Sequence, residues 1–210
     1  MRRGVKYFLI WVAAVVSWPS AVLPQSRALP DFEQILREQS SRIESIDCRF
    51  VQTRSVSVLA QDVKRAGRFR YLRPDNILLS FDDGDYIKMT AKFFEMKSGG
   101  RVNRTKTASN PMLKNMSAML SGCMSGDVSK IAAGFDVEIT PHAGGYTMRL
   151  VPAGGRGSSR MGSITLDFDG GDMSLSSLRM DEPSGDYTLY EFSDKKFNVA
   201  VDGNLFEEQR

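Results

Sequence analysis

The sequence lacks most of the side chains on which enzyme sites depend. Its 210 residues include one histidine, His142, and two cysteines, Cys48 and Cys123. One histidine excludes every site that needs two, and it argues against a Ser-His-Asp triad. The cysteines are far apart in sequence, so there is neither a thioredoxin-type CxxC pair nor a zinc knuckle. We therefore expect no enzymatic activity, with no catalytic residue, no metal and no cofactor.

The acidic clusters of the sequence do not have the pattern of a site either. The segment Asp167–Asp172 reads DFDGGD, which lacks the D-x-[DN]-x-[DN]-G spacing of a calcium loop and its glutamate at the twelfth position. Its Asp-Gly step between two alternating runs predicts a hairpin turn. The segment Asp181–Asp186 predicts a second turn, and we expect His142 to be an exposed turn residue.

No apolar run is long enough to cross a membrane. The longest, Tyr7–Trp18, has twelve residues, whereas a spanning helix needs roughly 20. Basic residues precede this run and small residues follow it, which predicts a secretory signal over residues 1–28. Cleavage after Ala28 has the best spacing; cleavage near Ser20 and Ala21, or a retained anchor, are the alternatives.

Charge gives no indication of a nucleic-acid partner. The chain has 28 Lys and Arg and 25 Asp and Glu, a net charge of +3. Residues 1–28 carry four of the basic residues and no acidic residue. A chain that begins at residue 29 therefore has 24 basic and 25 acidic residues, a net charge of −1. A protein close to neutrality does not favour a polyanionic ligand. No cysteine precedes Cys48, so we expect a soluble exported protein without a lipid anchor.

Hydrophobic periodicity predicts one α+β domain over residues 29–210. A helix over residues 32–43 is followed by strands that alternate with period two, then by a helical segment at 111–133 interrupted at Gly122–Gly126. Further strands follow, the last of them at Phe197–Val201, and residues 153–162 predict a flexible hairpin loop. We expect a strongly curved antiparallel sheet of about eleven strands, an incomplete β-barrel, covered by a lid of two or three helices. Cys48 and Cys123 are expected to be two separate buried thiols, with a disulfide as the alternative.

Four of the eleven methionines lie between Asn110 and Gly126. Met112, Met116 and Met119 share one helical face, because they are spaced by four and three residues. Methionine side chains are unbranched and adaptable, so this face predicts either ordinary core packing or contact with a variable apolar ligand.

Several short motifs, in this order and spacing, resemble the family of the periplasmic lipoprotein carrier LolA. They extend from about Phe32 to Phe206 and include Arg49–Gln52, Gly67–Pro74, Asn110–Lys114, Ile164–Asp169 and Met180–Thr188. The methionine-rich helix and the Ser-Gly-Asp turn depart from the enterobacterial pattern of this family and resemble carriers of the Bacteroidetes type.

This resemblance implies a function. A LolA-like carrier is a periplasmic monomer that takes acylated lipoproteins from an inner-membrane export complex and delivers them to an outer-membrane acceptor. It also implies that Arg73, the arginine before Pro74, holds the helical lid shut by bonding helix carbonyls. The alternatives are a carrier of another amphiphile, such as a glycolipid or pigment, and a lipoprotein-sensing regulator of the same fold.

The expected acyl-chain site lies between the sheet and the lid. Since a slip of one residue inverts a strand, the sequence does not decide which strand face lines the cavity. The candidate lipid-binding residues are Phe50, Phe69, Tyr71, Leu79, Phe81, Met112, Met116, Met119 and Leu120.

Overall fold

The computed structural model describes residues 25–59, 61–153 and 161–208 of the chain, without the side chains of residues 25–30, 111 and 112. Most of the predicted signal, residues 1–28, and most of the predicted loop at 153–162 lie outside these ranges. The described helices are α1 (Gln25–Ser40), α2 (Pro111–Ser125) and α3 (Val128–Ala132), with short 3₁₀ turns at Thr107–Ser109 and Gly203–Phe206.

The described strands follow one another in sequence, apart from the helical segment between β6 and β7. Their bounds are β1 (Ser45–Ser55), β2 (Val63–Leu72), β3 (Asn76–Phe81), β4 (Tyr86–Met89), β5 (Phe93–Ser98), β6 (Arg101–Lys106), β7 (Phe135–His142), β8 (Gly145–Pro152), β9 (Ser163–Asp169), β10 (Leu175–Asp181) and β11 (Tyr187–Phe197).

These eleven strands form one antiparallel sheet in the order β6-β5-β4-β3-β2-β1-β11-β10-β9-β8-β7. The first and last strands of the chain meet at its centre, where β1 pairs with both β2 and β11. Among the described residues, β6 and β7 are the two edge strands and do not pair with each other, so the sheet does not close into a barrel. The predicted incomplete β-barrel with a helical covering is therefore confirmed.

The pairing decides which strand face is concave. Phe50 lies opposite Gly67, and Gly67 lies opposite Phe81. Phe69 and Leu79 form the next row, and Tyr71 and Ile77 the row after it. All five predicted strand residues thus point to the concave side, where they are buried. The opposite face of β2 carries Arg68 and Arg70, which pair with Asp47 on β1.

Two details of the predicted secondary structure are wrong. The expected strand at Phe197–Val201 is absent among the described residues, because β11 ends at Phe197. Asn198 has a φ of 55°, and its side chain accepts from Glu44 N and donates to Arg42 O. These bonds turn the chain away from the sheet.

The second error concerns α2, which continues through Gly122 and Cys123 to Ser125. A Cβ at Gly122 would lie 2.7 Å from the Ile131 side chain and 2.8 Å from Asp127 O. Gly122 therefore permits close packing of α3 and does not interrupt the helix. The helix ends at Gly126, whose φ of 73° favours glycine. Asp127 caps α3, as predicted, by accepting from Lys130 N.

Candidate functional site

The sheet and helix α2 enclose a cavity of about 210 Å³. From α2 it is lined by Met116, Met119 and Leu120, which follow one another at helical spacing. The sheet provides the rest of the wall, almost entirely with apolar side chains: Phe69, Leu79, Ile87, Met89, Phe94, Leu178, Met180, Tyr190 and Phe192. We call this space the central cavity.

The structure places the predicted residues in three groups. Phe69, Leu79, Met116, Met119 and Leu120 line the central cavity. Phe81 lines a neighbouring cavity instead. Phe50 and Tyr71 are fully buried but line neither of these two cavities. The Phe50 ring packs edge-on against the Phe81 ring, with 5.2 Å between the ring centroids. The Tyr71 hydroxyl donates to Pro74 O. Met112 belongs to α2, but its side chain lies outside the described residues.

The sequence prediction missed seven lining residues. They come from β4 and β5 on one side and from β10 and β11 on the other: Ile87, Met89, Phe94, Leu178, Met180, Tyr190 and Phe192. Each lies on an alternating strand, so the period-two pattern contained the signal. Only the pairing of the strands shows that the residues of β4 and β5 face the same space as those of β10 and β11.

Two larger cavities adjoin the central one. The first, about 490 Å³, shares Met116, Met119 and Met180 with it and extends between α2 and β7–β9. The second, about 600 Å³, shares Ile87, Met180 and Tyr190 and extends between the β1–β2 and β5 strand ends. We call them the α2-side cavity and the hairpin-side cavity. Met180 lines all three.

The charged residues that line the two neighbouring cavities are exposed or partly exposed. The α2-side cavity has Asp181 and Glu182 among its walls. The hairpin-side cavity has Arg54, Arg65 and Asp85, and Arg65 lies 4.0 Å above the Phe81 ring. Deeper inside, the Tyr190 hydroxyl accepts from Gln52 Nε2 at 2.6 Å, and burial raises the pKa of Tyr190. The central cavity itself is apolar.

The turn between β2 and β3 connects to both long helices. Arg73 donates to the carbonyls of Ser40 at 2.9 Å and Ile43 at 2.7 Å, at the carboxyl end of α1. Two residues later, the Asp75 carboxylate accepts a hydrogen bond from the Ser121 hydroxyl of α2. Helix α1 packs on the sheet through Phe32, whose ring lies 5.2 Å from Tyr146. Near its carboxyl end, α1 passes close to Gly126, the residue that follows α2. A Cβ added to Gly126 would lie 2.5 Å from Arg37 Cα.

The remaining candidate groups have structural roles. Asp169 and Asp172 accept backbone hydrogen bonds from Gly171 and Ser174 in the β9–β10 turn, which confirms the predicted hairpin. His142 is exposed and accepts from Gly144 N. Within the described ranges no group of three His, Cys, Asp or Glu side chains has the arrangement of a metal site.

Cys48 and Cys123 are both buried free thiols, as expected. Burial raises the pKa of each to about 12.

None of the helices in the described part of the chain is long and apolar enough to cross a membrane.

Several solved structures are similar to this chain at low sequence identity. An uncharacterized conserved protein from Thermus thermophilus superposes with a TM-score of 0.51 and 10% identity, over 88% of this chain and 96% of that one. A putative outer membrane lipoprotein-sorting protein domain from Vibrio parahaemolyticus matches with a TM-score of 0.44 and 13% identity, over 83% and 95% of the two chains.

The Mycobacterium tuberculosis lipoprotein LppX matches with a TM-score of 0.37 and 11% identity, over 82% of this chain and 99% of that one. The likeness to the Thermus thermophilus protein, at 10% identity, shows a shared fold alone. No curated protein matches the sequence significantly. The sequence model of one family, described as outer membrane lipoprotein carrier protein LolA, matches residues 41–209. Since that match covers most of the chain, the protein belongs to the LolA family.

Proposed function

We propose that this protein is a periplasmic carrier that binds the acyl chains of lipoproteins and ferries them from the inner to the outer membrane. The observation that carries this proposal is the apolar central cavity between the curved sheet and the methionine face of α2. Family membership supports it. An inner-membrane export complex would load the carrier, and an outer-membrane acceptor would unload it. Neither a cofactor nor a nucleic acid takes part.

The energetics of acyl chains explain why such a cavity is needed. Each buried CH₂ contributes about 0.8 kcal/mol, so a sixteen-carbon chain represents on the order of 12 kcal/mol. A triacylated lipoprotein therefore cannot leave a bilayer for water unless another apolar surface replaces the membrane. Concave strands rich in Phe, Leu and Met provide that surface.

The size of the central cavity implies that the protein changes shape on loading. Its volume of about 210 Å³ is below the roughly 300 Å³ at which pockets for drug-sized ligands begin. Three acyl chains require much more space. We propose that the shared methionines, Met116, Met119 and Met180, rotate or move with α2 so that the three cavities merge. Methionine suits this because its unbranched side chain repacks at low energetic cost.

Arg73 is proposed to hold the lid in its unloaded position. Its guanidinium fixes the carboxyl end of α1, while the neighbouring Asp75 holds α2 through Ser121. Displacement of α2 by acyl chains would break the Asp75 bond and strain the packing of α1 at Gly126. The β2–β3 turn would thereby connect loading of the cavity to both helices.

Native mass spectrometry of the protein recovered from its own periplasm tests the proposal directly. We expect a fraction of the protein to carry a triacylated lipoprotein. A free glycolipid or pigment would instead indicate a carrier of another amphiphile. Protein that is always empty of lipid, but bound to a regulatory protein, would support the sensor function and contradict the proposal.

Substitution of Met116 by Glu provides a second test. A carboxylate placed on the wall of the central cavity would have to be desolvated when acyl chains enter, so we expect Met116→Glu to fold but to lose cargo uptake. Met116→Leu, which conserves volume and polarity, is the control and should retain uptake. Normal uptake by a folded Met116→Glu variant would refute the role of the methionine face.

A further inference from the structure

The outer opening of the hairpin-side cavity combines features that the proposed carrier function does not require. Large hydrophobic side chains are exposed on one side of it: Val58 is 87% exposed, Leu59 51% and Val63 46%. All three belong to the β1–β2 hairpin, and Leu59 and Val63 line the cavity. We call them the apolar rim. Met96, also exposed, lies on the opposite wall.

Basic side chains also lie at this opening. Between Tyr86 and Lys114 the sequence has seven Lys and Arg residues and one acid, Glu95. Lys88 and Arg104 both pair with the buried Glu95, and Lys106 lies opposite Phe93 at the far end of β6. Lys97 lines the cavity, and Arg101 lies opposite Ser98, which also lines it. Arg54 of β1 lines the cavity as well. We call Lys97, Arg101 and Arg54 the basic edge.

Protection of a free sheet edge explains only part of this arrangement. Charged side chains on an edge strand prevent unwanted pairing with other chains, and this accounts for charge on β6. It does not explain the exposed aliphatic residues of the apolar rim, which would promote association. Aliphatic side chains beside Lys and Arg are instead the combination that binds membrane interfaces, the former entering the headgroup region and the latter attracting anionic lipids.

We propose that the apolar rim and the basic edge form a surface that binds an anionic lipid bilayer. Acidic residues near the rim have polar partners: Asp83 and Asp85 bind Arg65, Asp186 accepts from Ser57 N, and Asp62 accepts from the Tyr187 hydroxyl at 3.4 Å. Arg54 and Arg101 form no ion pair within the described residues. A bilayer at this surface would lie at the open end of the hairpin-side cavity, and Ile87, Met180 and Tyr190 connect that cavity to the central one.

Flotation with lipid vesicles tests this inference on the full exported protein without cargo. Vesicles of phosphatidylcholine alone are compared with vesicles in which part of it is replaced by phosphatidylglycerol. We expect binding to the anionic vesicles only, and weaker binding as salt is raised. Leu59→Asp and Arg101→Glu should each reduce binding by roughly tenfold. Both residues are exposed, and circular dichroism should show that the variants fold.

Two matched controls place the same changes elsewhere on the surface. Ile35→Asp alters an exposed aliphatic residue on α1, and Arg42→Glu reverses a charge at the opposite end of β1. Both should bind vesicles as the wild type does.

The inference is overturned if the wild type does not float with anionic vesicles, or if Leu59→Asp and Arg101→Glu bind normally. Binding of an acidic peptide instead of vesicles, lost in Arg101→Glu, would assign the surface to a protein partner and would also overturn it. Because cargo is absent, the result is independent of the proposed carrier function. A protein that carries lipoprotein but ignores vesicles refutes only the membrane surface.

Discussion

At the scale of single residues, Met180 is the side chain on which the three cavities depend. It lines the central, α2-side and hairpin-side cavities. It lies on β10 opposite Thr188 of β11 and Ile164 of β9. A flexible thioether at this junction can open or close the connection without a backbone change.

Substitution of Met180 by Trp should therefore reduce cargo uptake strongly. The indole would fill the junction and separate the cavities, while its apolar character should leave the fold intact. Uptake of an acylated lipoprotein by the purified variant is the measurement. Met96→Trp is the control, because Met96 lines only the hairpin-side cavity and is partly exposed. Equal loss in both variants would contradict a special role for Met180.

The two thiols should be unreactive in the native state. Alkylation requires the thiolate, and burial raises the pKa of both Cys48 and Cys123 to about 12. Both groups therefore stay protonated at pH 8, whereas a free cysteine, with a pKa of about 8.5, is partly ionised there. We expect iodoacetamide to label neither residue in native protein and both in denaturant, as mass spectrometry can show. Native labelling of either thiol at the rate of a free cysteine would contradict the buried positions.

At the scale of elements, the β2–β3 turn organises the helical lid. It supplies Arg73 to the end of α1 and Asp75 to α2. The helices are otherwise in contact with each other mainly where glycine permits close approach, at Gly122 and Gly126. The lid is thus a set of three helices that pack on the sheet through buried side chains, with hydrogen bonds from this one turn to α1 and α2.

Arg73→Leu should loosen α1 at its carboxyl end. Loss of the hydrogen bonds from the guanidinium to the Ser40 and Ile43 carbonyls should lower stability by about 1.5–3 kcal/mol. Hydrogen exchange should become faster in the last turn of α1 and in α2. Arg70→Leu, on the preceding strand β2 and with its charge on the convex face, is the matched control. If both variants exchange alike, Arg73 has no particular role in holding the lid.

At the scale of the whole molecule, a buried polar network connects the sheet to the end of the chain. Glu95 is fully buried. It accepts from the Tyr86 hydroxyl at 2.7 Å and pairs with Arg104 and with Lys88. Lys88 Nζ in turn donates to Glu207 O at 3.1 Å. The C-terminal segment is therefore held against the convex face of β4.

This network predicts a loss of stability in acid. Burial alone would raise the pKa of Glu95, but the hydrogen bonds from Tyr86 and Arg104 outweigh it and hold the pKa below its ordinary value of 4.5. The stability that Glu95 contributes is therefore complete above that value and is lost as the pH falls through the lower native pKa. Denaturant unfolding should show this loss in the wild type and a smaller one in Glu95→Gln.

Glu95→Gln should also be less stable at neutral pH, by about 3–5 kcal/mol, since it removes the buried carboxylate that pairs with the buried Lys88. Glu138→Gln, at an exposed position on β7, is the control and should unfold like the wild type. An acid transition that is the same in all three proteins would exclude Glu95 as its origin.

The sequence by itself determined the class of structure. Period-two alternation with turn residues between the runs is enough to predict an antiparallel sheet, because each side chain's face follows from its place in the strand. The spacing of Met112, Met116 and Met119 likewise determined a helix with one apolar face. Where local rules failed, at Gly122 and Asn198, the deciding contacts came from residues distant in sequence or in the next helix.

Only the tertiary structure decided which residues share the cavity. Phe69 and Phe192 are more than a hundred residues apart in sequence, yet their rings pack at 5.3 Å because β1 joins both halves of the sheet. The strand face that lines the cavity depends on register, which a slip of one residue inverts. The sequence therefore determined that the molecule has an apolar concave surface and a methionine helix, and the pairing of the strands determined where the two meet.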